Sequence, residues 1–291
     1  MKLKTYFFLL ITVLFMACNS DIKKAKEHYL KAEKYYTTKD YANASLEIDK
    51  SINLDASNYE YLIYSAKIKR QLNKNDEAID LLKTVISKNY KKDSTNYEIG
   101  KCYFAKSVNF SNEGESESKQ NESLEKALDF YDLTLKENIR FYDAYIEKYK
   151  VMHNLQRYEE AIVIVNQAYS VFPDSINLVL FRGVAKGTLG DHYEEMKDLN
   201  KAISSKKLDS SNTSTAYRFR GLAFKEKDEL KLALEDFTNA INYSKENAYP
   251  YKDRGDLYLK MKLNDSACKD YRKAAELGFV KLYEIIKENC N

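Results

Sequence analysis

The sequence predicts an all-α fold, an α-solenoid, and three observations carry that prediction. The stretch STAYRFRGLAFKEKDELKLALEDFTNAI, beginning at Ser214, is followed by AYPYKDRGDLYLKMKLNDSACKDYRKAA, beginning at Ala248. Gly221 and Gly255 lie 34 residues apart, as do Ala233 and Ala267, Phe237 and Tyr271, and Ala240 and Ala274. A fixed period of this length marks one supersecondary unit stacked on copies of itself. Second, the apolar residues within each half-period recur at three and four, as on amphipathic helices. Third, the composition suits helices joined by short turns: 2 Pro and 8 Gly in 291 residues, with 31% charged. The 25 Tyr and 13 Phe, without Trp, supply bulky packing material.

The chain opens with MKLKTYFFLLITVLFMACNS. Two lysines precede an apolar run from Tyr6 to Met16 of about 11 residues, too short for a bilayer core that needs about 20. A charged start, a short apolar centre and a small residue before the cut read as a secretory signal over residues 1–17. Leu14-Phe15-Met16-Ala17-Cys18 resembles a bacterial lipobox, with Phe15 where Leu is preferred. That resemblance implies cleavage after Ala17 and lipidation of Cys18, and residues 18–24 then form a short tether. Stable anchoring takes more than one acyl chain, each buried CH₂ contributing roughly 0.8 kcal/mol. The alternative is a plain signal peptide and a soluble periplasmic scaffold.

Carrying the register upstream defines the remaining units. Residues 25–58 hold Ala32, Ala44, Ile48 and Ser51 in the repeat columns, and 59–92 hold Ala66, Ala78 and Leu82. The third unit, 93–141, has Gly100 and Tyr103, then Ala127, Tyr131 and Thr134. Between those halves lies the polar insertion 107–123, SVNFSNEGESESKQNES, either a solvated loop or an extension of both helices. Unit 142–175 has Ala161, Val165, Ala168 and a closing Pro173. Tyr149 takes its small column, so a wider helix spacing is expected there. Unit 176–209 has Gly183, Leu199 and Ala202, with Glu195 where Ala is expected. Units 214–247 and 248–280 complete the array. Residues 281–291 place Leu282, Ile285 and Ile286 on one face and read as the capping helix that a solenoid needs.

Small residues at helix crossings, with aromatic or aliphatic residues beside them, resemble the columns of tetratricopeptide repeats. The family's Trp is missing and its closing Pro occurs once. The resemblance implies about seven helix–turn–helix units whose first helices line a concave, protein-binding groove. On that face it places Ile63, Tyr97, Ile146 and Leu180 as an apolar ledge, beside Lys67, Lys101 and Lys150. Arg70, Phe104, His153, Arg218, Lys225 and Lys252 lie on the same side. Such a surface suits an extended peptide with acidic and apolar side chains, the charges setting encounter and register. The family's carboxylate clamp needs Lys and Asn one turn apart, and Ile63/Lys67 and Tyr97/Lys101 do not supply it.

Catalytic and metal chemistry find little footing. His28, His153 and His192 fall in three different units without paired ligands, and no phosphate loop or nucleophile–His–acid grouping can be assembled. No enzyme activity, cofactor or metal is expected. Removing Lys2 and Lys4 from the 47 basic residues leaves 45 against 44 acidic, a balance that argues against nucleic acid. Cys268 and Cys290 fall on neighbouring helices; they form either a disulfide, which export permits, or two small buried residues. Cys102 has no evident mate. Asp93-Ser94-Thr95, Asp174-Ser175-Ile176 and Asp265-Ser266-Ala267 resemble a bacterial O-glycosylation signal, and also sit where helix caps belong. The sequence therefore reads as a lipid-anchored interaction scaffold of the bacterial cell envelope, at the outer membrane. Its partner is a protein or peptide, and it faces either the periplasm or the surface. The alternatives are an outer-membrane assembly or secretion accessory and, further off, an envelope hydrolase.

Overall fold

A computed structural model describes the backbone of residues 2–112, 116–280 and 282–290, and their side chains outside 2–19, 110–112 and 289. Among the described residues there are fifteen helices and no strand. The chain divides into two compact units, residues 1–151 and 152–291.

Unit one holds α1 (Lys2–Thr37), α2 (Tyr41–Leu54), α3 (Tyr59–Gln71), α4 (Asn75–Ser87), α5 (Lys92–Asn112), α6 (Glu117–Glu137) and most of α7 (Tyr142–Asn154). The α1 backbone is helical through the expected signal and tether. Side chains up to residue 19, that of Cys18 among them, lie outside the described residues. Packing begins at Ala25, which, like Ala32, is wholly buried against α2 and α3. The insertion extends both neighbouring helices: α5 and α6 have 21 residues each, where α3 and α4 have 13. Ser107 and Ser123 at its ends are buried, so the solvated-loop alternative fails there; residues 113–115 lie outside the described residues.

Unit two runs through α8 (Tyr158–Val171), α9 (Ile176–Thr188), α10 (His192–Ser204), α11 (Ser210–Glu226), α12 (Leu230–Tyr243), α13 (Ala248–Lys260), α14 (Asn264–Glu276) and α15 (Leu282–Asn289). Residues 210–213, between the fifth and sixth sequence units, are the first turn of α11, capped by Asp209, whose carboxylate accepts from Asn212 N at 2.7 Å. Leu282 is buried against Tyr271, Ala274 and Ala275, with Ile285 and Ile286 beside it, so α15 covers the apolar end of α13 and α14. Cys268 and Cys290 form a disulfide with Cα atoms 5.5 Å apart, and Arg272 donates to the Cys290 carbonyl at 3.0 Å.

The small column follows from the size of what it meets. A Cβ added at Gly100 lies 2.5 Å from the Tyr131 ring, at Gly221 2.8 Å from Phe237, and at Gly255 2.7 Å from Tyr271. Where the facing column carries Ile48 or Leu82 instead of a ring, the first helix has room for Ala32 or Ala66. Gly183 departs from this pairing: it faces Leu199, and its added Cβ meets Asp198 Cβ at 3.0 Å. The turns between paired helices share a left-handed residue: Lys39, Asn73, Gln156, Gly190, Asp228 and Lys262 all have φ between 58° and 82°.

Glu195, 4% exposed, fits because a Cβ at Gly187 would collide with its carboxylate. His192 Nδ1 lies 3.0 Å from Glu195, and its Nε2 3.3 Å from Glu226 on α11. Burial holds the Glu195 pKa above its usual range.

A ladder of buried ion pairs ties these repeats together. Arg182, Arg220 and Arg254 each fork onto an aspartate 16 residues on, Asp198, Asp236 and Asp270, at 2.7–2.9 Å. The aspartates are 2–4% exposed. Arg220 also donates to Asn200 on α10 at 2.9 Å, and Arg254 to Thr238 on α12 at 3.2 Å. Each of these two guanidinium groups thus joins its own unit to the preceding one.

Candidate functional site

The first helices expected to line a groove are α3, α5, α7, α9, α11 and α13. In unit one they bring a distinct polar cluster together. Glu98 on α5 is 6% exposed, and three cations converge on it. Lys67 Nζ lies 3.7 Å from Glu98 Oε1, Lys101 Nζ 4.0 Å from the same oxygen, and Arg70 Nη2 3.5 Å from Oε2. Three positive charges therefore meet at one buried carboxylate, with Glu147 also acting on Lys101 and Glu60 on Lys67. Burial lowers the Lys101 pKa, opposed by the charge of Glu98. Its ammonium sits 5.2 Å from the centre of the Tyr97 ring, within cation–π range.

Tyr97 is half-buried between Phe141 and Tyr131, with ring centroids 4.8 and 6.0 Å away, and burial raises its hydroxyl pKa. Phe104 and Ile146 are half-buried, while Lys150 is exposed and donates to Glu147 at 2.8 Å. Cys102, beside Lys101 in sequence, is buried, and desolvation pushes its thiol up to about 12. That thiol has no nucleophilic character.

Two members of the expected ledge do not line any surface. Ile63 is 6% exposed and belongs to the core formed with Ala66, Ala78, Ile99 and Cys102. Leu180 is wholly buried with Ala202 and Ala216. Both point at the next repeat, and a helix face read one repeat at a time cannot register that neighbour.

In unit two Arg218 and Lys252, two of the expected cations, are paired with carboxylates. Arg218 Nε donates to the buried Asp253 at 2.5 Å, with its guanidinium over the rings of Phe219 and Tyr249. Lys252 donates to Asp256 at 2.7 Å and lies 3.7 Å from Asp253. His153 stands edge-on to Tyr158, and burial lowers its pKa. Lys225 is half-buried on α11. On α11 and α13 the cations Arg218 and Lys252 are thus held by carboxylates of α13, whereas in unit one three cations meet at Glu98. Sequence reasoning missed Glu98 and Asp253, although each carboxylate lies within one residue of a position it singled out.

Among the described residues no group of three or more His, Cys, Asp or Glu could hold a metal, and no helix is long and apolar enough to cross a membrane. At the Asp-Ser triplets, Asp93 accepts from Ser94 N at 2.7 Å and Thr95 is buried, a local turn contact as at a helix start.

Residues 251–277 match the tetratricopeptide repeat family. No curated protein matches the chain. A tetratricopeptide repeat protein from Parabacteroides merdae ATCC 43184 is similar over 91% of this chain and 97% of its own, with 21% identity and a TM-score of 0.69. Cut9–Hcn1 of the APC/C is similar over 85% of this chain and 45% of its own, at 16% identity and a TM-score of 0.58. IFIT1, solved with m7Gppp-AAAA, is similar over 89% of this chain and 62% of its own, at 14% identity and a TM-score of 0.54. The chain is an all-α repeat protein with a tetratricopeptide repeat at residues 251–277 and the solenoid fold of tetratricopeptide repeat proteins.

Proposed function

We propose that this protein is a lipid-anchored scaffold of the bacterial cell envelope that holds an extended segment of a partner protein against the first helices of unit one. The observation that carries the reading is the convergence of Lys67, Arg70 and Lys101 on the buried Glu98, beside the Tyr97 ring. Cations with aromatic neighbours select an acidic, partly apolar segment, and such charges set orientation more than affinity. The near-neutral balance outside the signal favours protein over nucleic acid, although a similar fold holds m7Gppp-AAAA in IFIT1.

The anchor rests on the lipobox-like Leu14 to Cys18. Changing Cys18 to Ala moves the protein from the membrane to the soluble fraction if the thiol carries the lipid; unchanged fractionation contradicts the anchor. Reversing Lys67, Lys101 and Lys150 to Glu abolishes partner capture from solubilised envelopes, and undiminished capture contradicts the groove.

A further inference from the structure

The contacts at Glu98 are long for so buried a carboxylate; pairs as long elsewhere in unit one, Lys74–Glu77 and Lys24–Asp21, lie on exposed side chains. Lys69–Glu77 and Lys106–Asp76 close to 2.6 Å, as charge-assisted hydrogen bonds do. Glu98, far more buried than either carboxylate, holds its three cations at 3.5–4.0 Å. Two donors nearby have no acceptor. Arg70 Nε is buried and unbonded, and so is the hydroxyl of Tyr131, a residue with no exposed surface. Tyr131 lies against Gly100, two residues along α5 from Glu98; burial and then the charge of Glu147 raise its hydroxyl pKa most, with Arg70 and Glu98 acting on it as well. Buried donors are nearly always bonded. Two orphans beside one loosely held carboxylate describe a place that an acceptor can occupy.

We propose that Glu98 is a two-position carboxylate whose inward position, accepting from Arg70 Nε and the Tyr131 hydroxyl, is taken up when a partner's carboxylate replaces it between Lys67 and Lys101. The inference rests on the reading of this face as a docking surface. In the partner-free protein Glu98 stands in for the ligand and keeps the cations neutralised. When it turns inward, Lys67 and Lys101 lose the carboxylate that lies within 4 Å of both and keep only the more distant charges of Glu60 and Glu147, and an Asp or Glu side chain of the docked segment replaces it. Docking is thereby an exchange of carboxylates, and segments without an acid cannot release the latch.

The test uses the purified full-length chain and a blocked hexapeptide of alternating Glu and Leu, with a Lys-for-Glu peptide and inorganic phosphate as controls. Binding is followed by titration and by the Arg70 Nε–H signal in nitrogen-resolved NMR. The acidic peptide is expected to shift that signal as the new bond forms. Tyr131→Phe is expected to weaken the peptide about tenfold, the worth of one hydrogen bond to a charged group, although no ligand can touch a buried hydroxyl. Glu98→Gln, which removes the charged competitor, is expected to tighten binding. Acidic-peptide binding that ignores Tyr131→Phe and leaves the Arg70 signal still overturns the exchange while the docking surface stands. A response to phosphate alone, or to neither anion, overturns the carboxylate seat. Partner capture from envelopes is scored separately, so loss of the latch and loss of the scaffold reading give different results.

Discussion

Replacing Arg220 by Met tests what holds consecutive repeats together. Met keeps most of the side-chain length and removes the guanidinium that donates to both oxygens of Asp236, at 2.7 and 2.8 Å, and to Asn200 at 2.9 Å. Asp236 is 3% exposed, so the substitution leaves a buried carboxylate without its counter-ion. Such a loss costs about 3–5 kcal/mol, whereas replacing both partners with apolar residues is often neutral. Arg220→Met should therefore destabilise by that amount, and Arg220→Met with Asp236→Leu should recover most of it. A repeat array need not unfold in one step, so hydrogen exchange resolved by helix is the appropriate assay. Protection should fall in α11 and α12 and, through the lost Asn200 contact, in α10. A cost below about 1 kcal/mol, or a double variant as unstable as the single, refutes the ladder as a stabilising device.

Three further outcomes follow from the same structure. Changing both Cys268 and Cys290 to Ser should cost about 3 kcal/mol, the loop-closure value for a 22-residue separation, seen as faster exchange in α14 and α15 and not in α9. Glu195→Gln should stabilise at neutral pH, because burial raises the pKa of the folded carboxyl above 4.5. The folded state then binds the proton more tightly, so wild-type stability falls as pH rises through that interval, and the advantage of Gln disappears below it in urea titrations. Lys262→Gly should gain roughly 0.5–1 kcal/mol in thermal unfolding, since Lys262 sits at φ 60°, while Gly190→Ala at φ 82° should lose stability.

The repeat was legible because its columns are set by steric pairing at fixed separation. Gly221 with Phe237 and Gly255 with Tyr271 stand 16 residues apart in both units, and the sequence alone shows the match. The Arg–Asp ladder was equally present, as Arg-Gly at 182, 220 and 254 with Asp 16 residues on, but charged residues on helices read as solvated faces by default. Only burial of the aspartates distinguishes them. Ile63 and Leu180 were misplaced for the converse reason. Their helix faces are correct, yet the following repeat covers them. Lys67 and Lys101 were found as cations, while Glu98, one residue from Tyr97, went unnoticed because its role depends on the helices that meet around it.

The most direct test of the scaffold account is photocrosslinking in intact envelopes. A photoreactive phenylalanine derivative at position 97, within the Lys67–Arg70–Lys101 cluster, is compared with the same group at position 46 on α2, where Leu46 is 60% exposed. The account predicts a defined protein adduct from position 97 that disappears when Lys67 and Lys101 are changed to Glu, and none from position 46. Equal adducts from both positions, indifferent to those reversals, contradict it.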